Sequence, residues 1–205
     1  MGIRLLERTL VLLFDESLVG QEMSREYLPE EMRDVVPRTG SDGELCLASL
    51  QAGIEVIVSG RRIAIRDARI DEPAVELVPK TALHLREKLD GEVKAYGLNY
   101  TAEFPVQGGG AGRFLATHLL DIESIEKVLS VESANVRLQH TEEKFRYRLS
   151  LEPRWQKPEE TLCFARLNVH CDQKLPGHEE LVEEFLGASR WLEERVTALF
   201  PKAHQ

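Results

Sequence analysis

The chain has 205 residues, 42% hydrophobic and 30% charged, the balance of a globular protein and not of a disordered or fibrous one. A formal charge of −9 argues against wholesale binding to nucleic acid or anionic membrane, because phosphate affinity is built from uncompensated Lys and Arg. Three cysteines are too few for a disulfide framework, so a reducing cytoplasm is the expected setting.

The opening apolar stretch is interrupted by Arg4, Glu7 and Arg8, which makes it a core strand and not a signal segment. No run approaches the roughly 20 apolar residues of a membrane span, and no membrane partner is expected. Residues 9–14 predict a strand buried on both faces. Leu18, Met23 and Tyr27 at loosely helical spacing predict a helix over 17–28, stopped by Pro29, and 29–43 reads as a loop with room for one helical turn. Three short runs follow, 44–50, 54–59 and 62–69, whose hairpin-sized separators predict an antiparallel meander. A helix carrying Leu83, Leu85 and Leu89 ends at Asp90-Gly91. Residues 74–78 fit either an edge strand or an early helical turn, and Pro79 weighs against one helix running through from 74.

The second half repeats this order. Residues 93–104 form a strand with Tyr96, Tyr100 and Phe104 on one face, and 112–130 a helix carrying Leu115, Leu119, Ile122, Ile125 and Leu129. Strands over 134–140, 145–151 and 162–171 precede a long helix with an apolar stripe of Leu181, Phe185, Leu192, Val196 and Leu199. Residues 1–205 thus read as one α+β domain of two similar halves, 1–91 and 92–205, each running strand, helix, three strands, helix. This order resembles the TATA-box-binding-protein-like fold, which implies two such units sharing one curved antiparallel sheet with helices on one side. The resemblance rests on element order alone, and a helix-grip arrangement is the rival.

Alternation assigns faces to the strands. It turns Arg62, Arg66, Arg137, Arg146, Arg148 and Arg166 toward the helix-free face, with Asn168 and His170 beside them. The acidic residues fall mostly in the 15–34 segment and on the helices, although Glu55 or Glu132 is placed to pair with an arginine. Guanidinium groups give planar, bidentate contacts, so this face suits a carboxylate, a phosphate or an acidic protein surface. A protein partner or self-association ranks above nucleic acid, since only Phe164 interleaves an exposed aromatic ring with the cations.

A glycine-rich segment, Gly108, Gly109, Gly110 and Gly112 followed by Arg113, lies between a strand and a helix, where backbone amides can hold an anion. It lacks the Lys-Ser/Thr of a phosphate-binding P-loop and the parallel strands of a dinucleotide fold. It supports an alternative reading as an anion, nucleotide or small-ligand site, with or without catalysis. No metal-ligand spacing occurs, His170 and Cys171 point to opposite faces, and the cysteines are expected as small buried hydrophobes. No metal, no cofactor and no catalytic residue is expected, because no nucleophile or acid–base signature is present. The sequence therefore reads as a non-catalytic binding or assembly protein acting through a sheet face and strand edges.

Overall fold

The computed structural model describes residues 2–18, 23, 25–39, 44–67, 69–70, 72–106, 110–154 and 161–200. Nine strands among them form one antiparallel sheet: β1 (Arg4–Phe14), β2 (Val36–Thr39), β3 (Leu45–Ser49), β4 (Ile54–Ser59), β5 (Arg62–Asp67), β6 (Val93–Pro105), β7 (Val136–Glu142), β8 (Phe145–Pro153) and β9 (Leu162–Cys171). The helices are α1 (Glu72–Lys88), α2 (Ala111–Leu119), α3 (Ile122–Glu126) and α4 (His178–Leu199). The strand order β2-β3-β4-β5-β1-β6-β9-β8-β7 is close to symmetric about the β1–β6 junction. In each half the first strand lies at the centre and the last strand before the closing helix pairs with it. This is the arrangement of two similar halves sharing one sheet, and it separates the fold from the helix-grip rival.

One face of the sheet carries the core. Leu10 and Leu12 of β1, Ile63 and Ile65 of β5, and Leu167 and Val169 of β9 alternate toward the helices and are buried. Tyr96, Tyr100 and Phe104 of β6 lie on the same face and are fully covered. From the helices come Val78, Ala82 and Leu85 of α1 and Leu181, Phe185 and Leu192 of α4, all buried. Each large apolar side chain so covered stabilises the fold by about 1.5–3 kcal/mol. Polar tips fix the docking of α4. The Tyr100 hydroxyl donates to the Phe185 carbonyl at 2.5 Å, and the Tyr96 hydroxyl donates to Glu184 at 2.7 Å.

One charged pair sits inside this apolar layer. Arg8 pairs across β1 and β5 with Asp67, donating from Nε at 2.9 Å and from Nη2 at 2.5 Å. Asp67 is completely buried and Arg8 nearly so. The other carboxylate oxygen accepts the backbone N–H groups of Arg69 at 3.0 Å and Ile70 at 2.9 Å, which holds Ile70 at φ 61°. Asp67 thus joins the sheet to the start of α1.

Several expectations need correction. No α-helix occupies the described part of 17–28. Short 3-10 turns stand at Arg25–Tyr27 and Glu30–Met32, and the Leu18 N–H is bound to the Gly60 carbonyl at 2.8 Å, which ties it to the β4–β5 turn. The loop expected over 29–43 contains the edge strand β2. Residues 74–78 belong to α1, which runs through Pro79 without ending. Burial of Ala74, Val78, Ala82 and Leu85 along one side outweighs the hydrogen bond that proline removes. The helix expected over 112–130 is broken at Leu120, which is extended, because Asp121 caps α3 by accepting the Ser124 N–H. Leu129, expected in an apolar stripe, is 65% exposed.

The Arg8–Asp67 pair generates a stability test. Asp67→Ala takes the carboxylate away from the buried Arg8 guanidinium and lowers unfolding stability by about 3–5 kcal/mol in urea denaturation. Arg8→Met combined with Asp67→Leu recovers only part of that loss, since the Arg69 and Ile70 amides still lack their acceptor. Full recovery in the double variant would contradict this account.

Candidate functional site

The helices leave the opposite face of the sheet open, and the register places its side chains in rows. Across β7, β8 and β9, Thr141, Arg146 and His170 are aligned, then Gln139, Arg148 and Asn168, then Arg137, Ser150 and Arg166. The middle row continues through Asn99 of β6 and Thr9 of β1 to Arg66 of β5 and Glu55 of β4. Asn168 donates to Asn99 at 2.6 Å, which links the two halves along this row. All six arginines singled out by alternation lie on this face. Four gather on β7–β9, whereas Arg62 and Arg66 stand on β5, with β1 and β6 between them and β9.

Carboxylates that alternation did not emphasise share the face. Arg66 is bound by Glu7 at 3.0 Å and Glu55 at 3.4 Å. Arg166 is bound by Glu152 at 2.9 Å, and Arg146 by Asp172. His170 Nε2 lies 2.5 Å from the other oxygen of Asp172. The hydrogen bond and charge of His170, then the charge and hydrogen bond of Arg146, hold the Asp172 carboxyl below its ordinary range. Most acidic residues do lie off the strands, but Glu7, Glu55, Glu152 and Asp172 set carboxylates among these arginines. Glu152 has the same strand parity as Arg148 and Ser150, so its face was readable. Its partner on β9 was not, because strand pairing is a non-local property.

Three arginines remain. Arg62, Arg137 and Arg148 have no carboxylate partner among the described residues. Arg137 and Arg148 are diagonal neighbours on β7 and β8, because Arg137 faces Ser150 and Arg148 faces Gln139. Two shallow clefts run along this part of the sheet. One, of about 360 Å³, is lined by Gln139, Arg146, Arg148, Asn168 and His170, and the other, of about 340 Å³, by Arg137, Ser150, Glu152 and Arg166. This is a surface with donors and positive charge left over after internal pairing, suited to carboxylate or phosphate oxygens.

The glycine-rich segment has a different character. Gly108 and Gly109 lie outside the described residues. Gly110 has φ 83° and precedes α2, a backbone state that favours glycine. A Cβ at Gly112 would fall 2.1 Å from the Ser133 hydroxyl oxygen, so this glycine is required by close packing. Arg113 donates to the Val131 carbonyl at 2.7 Å and to Glu126, whose hydrogen bond and charge raise its pKa. Its guanidinium is thus engaged across the α3 side of α2.

Among the described residues, no group of three or more His, Cys, Asp or Glu side chains is gathered to hold a metal ion. Cys163 and Cys171 are buried, and burial pushes the Cys163 thiol up to about 12, a range in which it is a poor nucleophile at neutral pH. No described helix is long and apolar enough to cross a membrane.

No protein-family model matches the chain, and no curated protein matches it either. Among solved structures, the chain is similar to a rolling circle replication initiator protein from Geobacillus stearothermophilus. The match covers 98% of this chain and 86% of that one, at 12% identity and a TM-score of 0.37. The two sequences have little in common at that identity, and the likeness carries no inference about what this chain binds.

The Asp172 cluster gives a pH test. A carboxyl lowered by folding stabilises the native state above its unfolded pKa, and that stability is lost only as pH falls through the lowered folded value. Between pH 7 and pH 5 the Arg146–Asp172 pair should therefore persist. A carbon-detected NMR titration of the Asp172 carboxyl is expected to give a midpoint below the reference 3.8. A midpoint above that reference would show that the pair is absent in solution.

Proposed function

We propose that this protein is a non-catalytic binding protein whose helix-free sheet face receives an acidic segment of a protein partner. Residues 1–205 act as one unit in this reading, with the contact concentrated on β7–β9 of the second half, 92–205. The observation that carries it is the charge left over on the outer strands. Arg66, Arg146 and Arg166 each already hold a carboxylate. Arg137 and Arg148, diagonal to one another, hold none among the described residues.

The interspersed carboxylates favour a protein over a nucleic acid. A phosphate chain following the middle row would pass Glu55, and one crossing the lower row would pass Glu152, each of which would repel it. A peptide carboxylate needs only the two free guanidiniums and the amide donors of Gln139 and Asn168 beside them.

Charge substitutions of opposite sign test this reading. Arg148→Glu together with Arg137→Glu should weaken binding of a hexaglutamate probe by about tenfold or more, as expected for loss of charge complementarity across an interface. Asp172→Asn releases Arg146 from its partner and should strengthen the same binding. Both variants should melt within a few degrees of the parent, because exposed ion pairs contribute little to stability. Equal affinity of all three proteins in fluorescence anisotropy would overturn the proposal.

A further inference from the structure

The face described above ends at β7, whose outer edge has no partner strand among the described residues. There β7 hydrogen-bonds to β8 alone in the sheet, and six of its seven residues are exposed. It carries no proline and its register with β8 is unbroken, so the usual protections of an edge are few. The helices do not reach over it. On the helix side a cleft of about 330 Å³ opens beside β7, lined by Leu138, Tyr147, Leu149, Trp191, Arg195 and Leu199. Its walls are largely apolar: Trp191 stacks on Tyr147 with ring centroids 4.6 Å apart, and Leu138 is 39% exposed.

β7 therefore separates two different environments. Leu138 and His140 point to the apolar cleft, whereas Arg137, Gln139 and Thr141 point to the arginine-bearing face. A strand added at the free edge would alternate its side chains between the same two environments. We infer that β7 is a strand-addition edge for an extended partner segment in which apolar and acidic residues alternate. The apolar residues enter the Leu138–Trp191 cleft, and the acidic ones meet Arg137 and Arg148. A second copy of this chain is a poorer occupant. Its own β7 would bring Arg137, Gln139 and Thr141 to the arginine-bearing side and supply no carboxylate there.

The inference rests on the acidic-partner reading, and the experiment separates the two. The probe is a fluorescent eight-residue peptide alternating glutamate and leucine, measured by anisotropy against the full chain. Hexaglutamate, a lysine–leucine peptide, a copy of the probe with alternate backbone amides N-methylated, and oligothymidylate serve as comparisons. The alternating peptide should bind about tenfold more tightly than hexaglutamate, the effect of adding buried apolar contact. Leu138→Lys should remove that advantage and leave hexaglutamate affinity unchanged. N-methylation in one of the two phases should abolish binding, because it deletes the backbone donors facing β7. If Leu138→Lys fails to fold, the N-methylated peptides decide alone. Unchanged affinity for both the Leu138→Lys protein and the N-methylated peptides overturns strand addition, while sensitivity to Arg148→Glu would keep the acidic-face reading. Equal binding of the lysine–leucine peptide, or stronger binding of oligothymidylate than of any peptide, overturns both.

Discussion

The long antiparallel pairing of β1 with β6 is the constraint on which the rest of the molecule depends. Each half offers a sheet that is apolar on one face, and the first strand of each half has its second hydrogen-bonding edge satisfied only by the other half. Pairing β1 with β6 makes the two sheets continuous and sets their registers relative to each other, from Arg4 opposite Glu103 to Phe14 opposite Val93. Because side chains alternate with a period of two, that register decides which residues of both halves share a face. Tyr96, Leu98 and Tyr100 are thereby placed over Leu12, Leu10 and Arg8 beneath α1 and α4. The same pairing joins Asn99 to Thr9 and carries a polar row from β7 to β4 on the open side.

One-sided burial then governs the chemistry. On the helix side the pair buried at both ends among the described residues is Arg8–Asp67, satisfied by two charge-assisted bonds and two backbone donors. The open side can carry many charges because water solvates them, and most of them pair locally. Among the described residues, what remains of the six arginines after pairing is Arg62 on β5 and the neighbouring Arg137 and Arg148 near the outer edge, in a protein whose total charge is strongly negative. Bulk charge therefore sets solubility, and local imbalance sets what the surface attracts.

Most of this architecture was legible because it follows from local pattern. Residues 162–171 alternate without interruption, and the strand there matches the reading to the residue. The hairpin separators at 51–53 and 60–61 fixed the meander in the same way. The failures have identifiable causes. Pro79 was given its intrinsic cost without the burial that offsets it. One helix over 112–130 took Asp121 into its interior, although that side chain is a better cap than interior residue. Leu18, Met23 and Tyr27 suggested a helix, but Leu18 is buried, and Met23 and Tyr27 partly buried, by packing on the core. For the open face, strand parity revealed the arginines, yet their neutralisation depends on pairs such as Arg66 with Glu7, which are distant in sequence. The Leu138–Trp191 cleft was hidden for a related reason: it exists because α4 stops short of covering β7, a matter of helix placement and not of periodicity.

The most direct test of the central claim is a backbone NMR titration of the whole protein with hexaglutamate at low salt. The account predicts shift changes confined to β7–β9, strongest around Arg137, Gln139, Arg148 and Asn168, and fading as salt screens the contact. Changes centred instead on the Gly110–Arg113 segment, or spread evenly over all exposed arginines including Arg62, would contradict it.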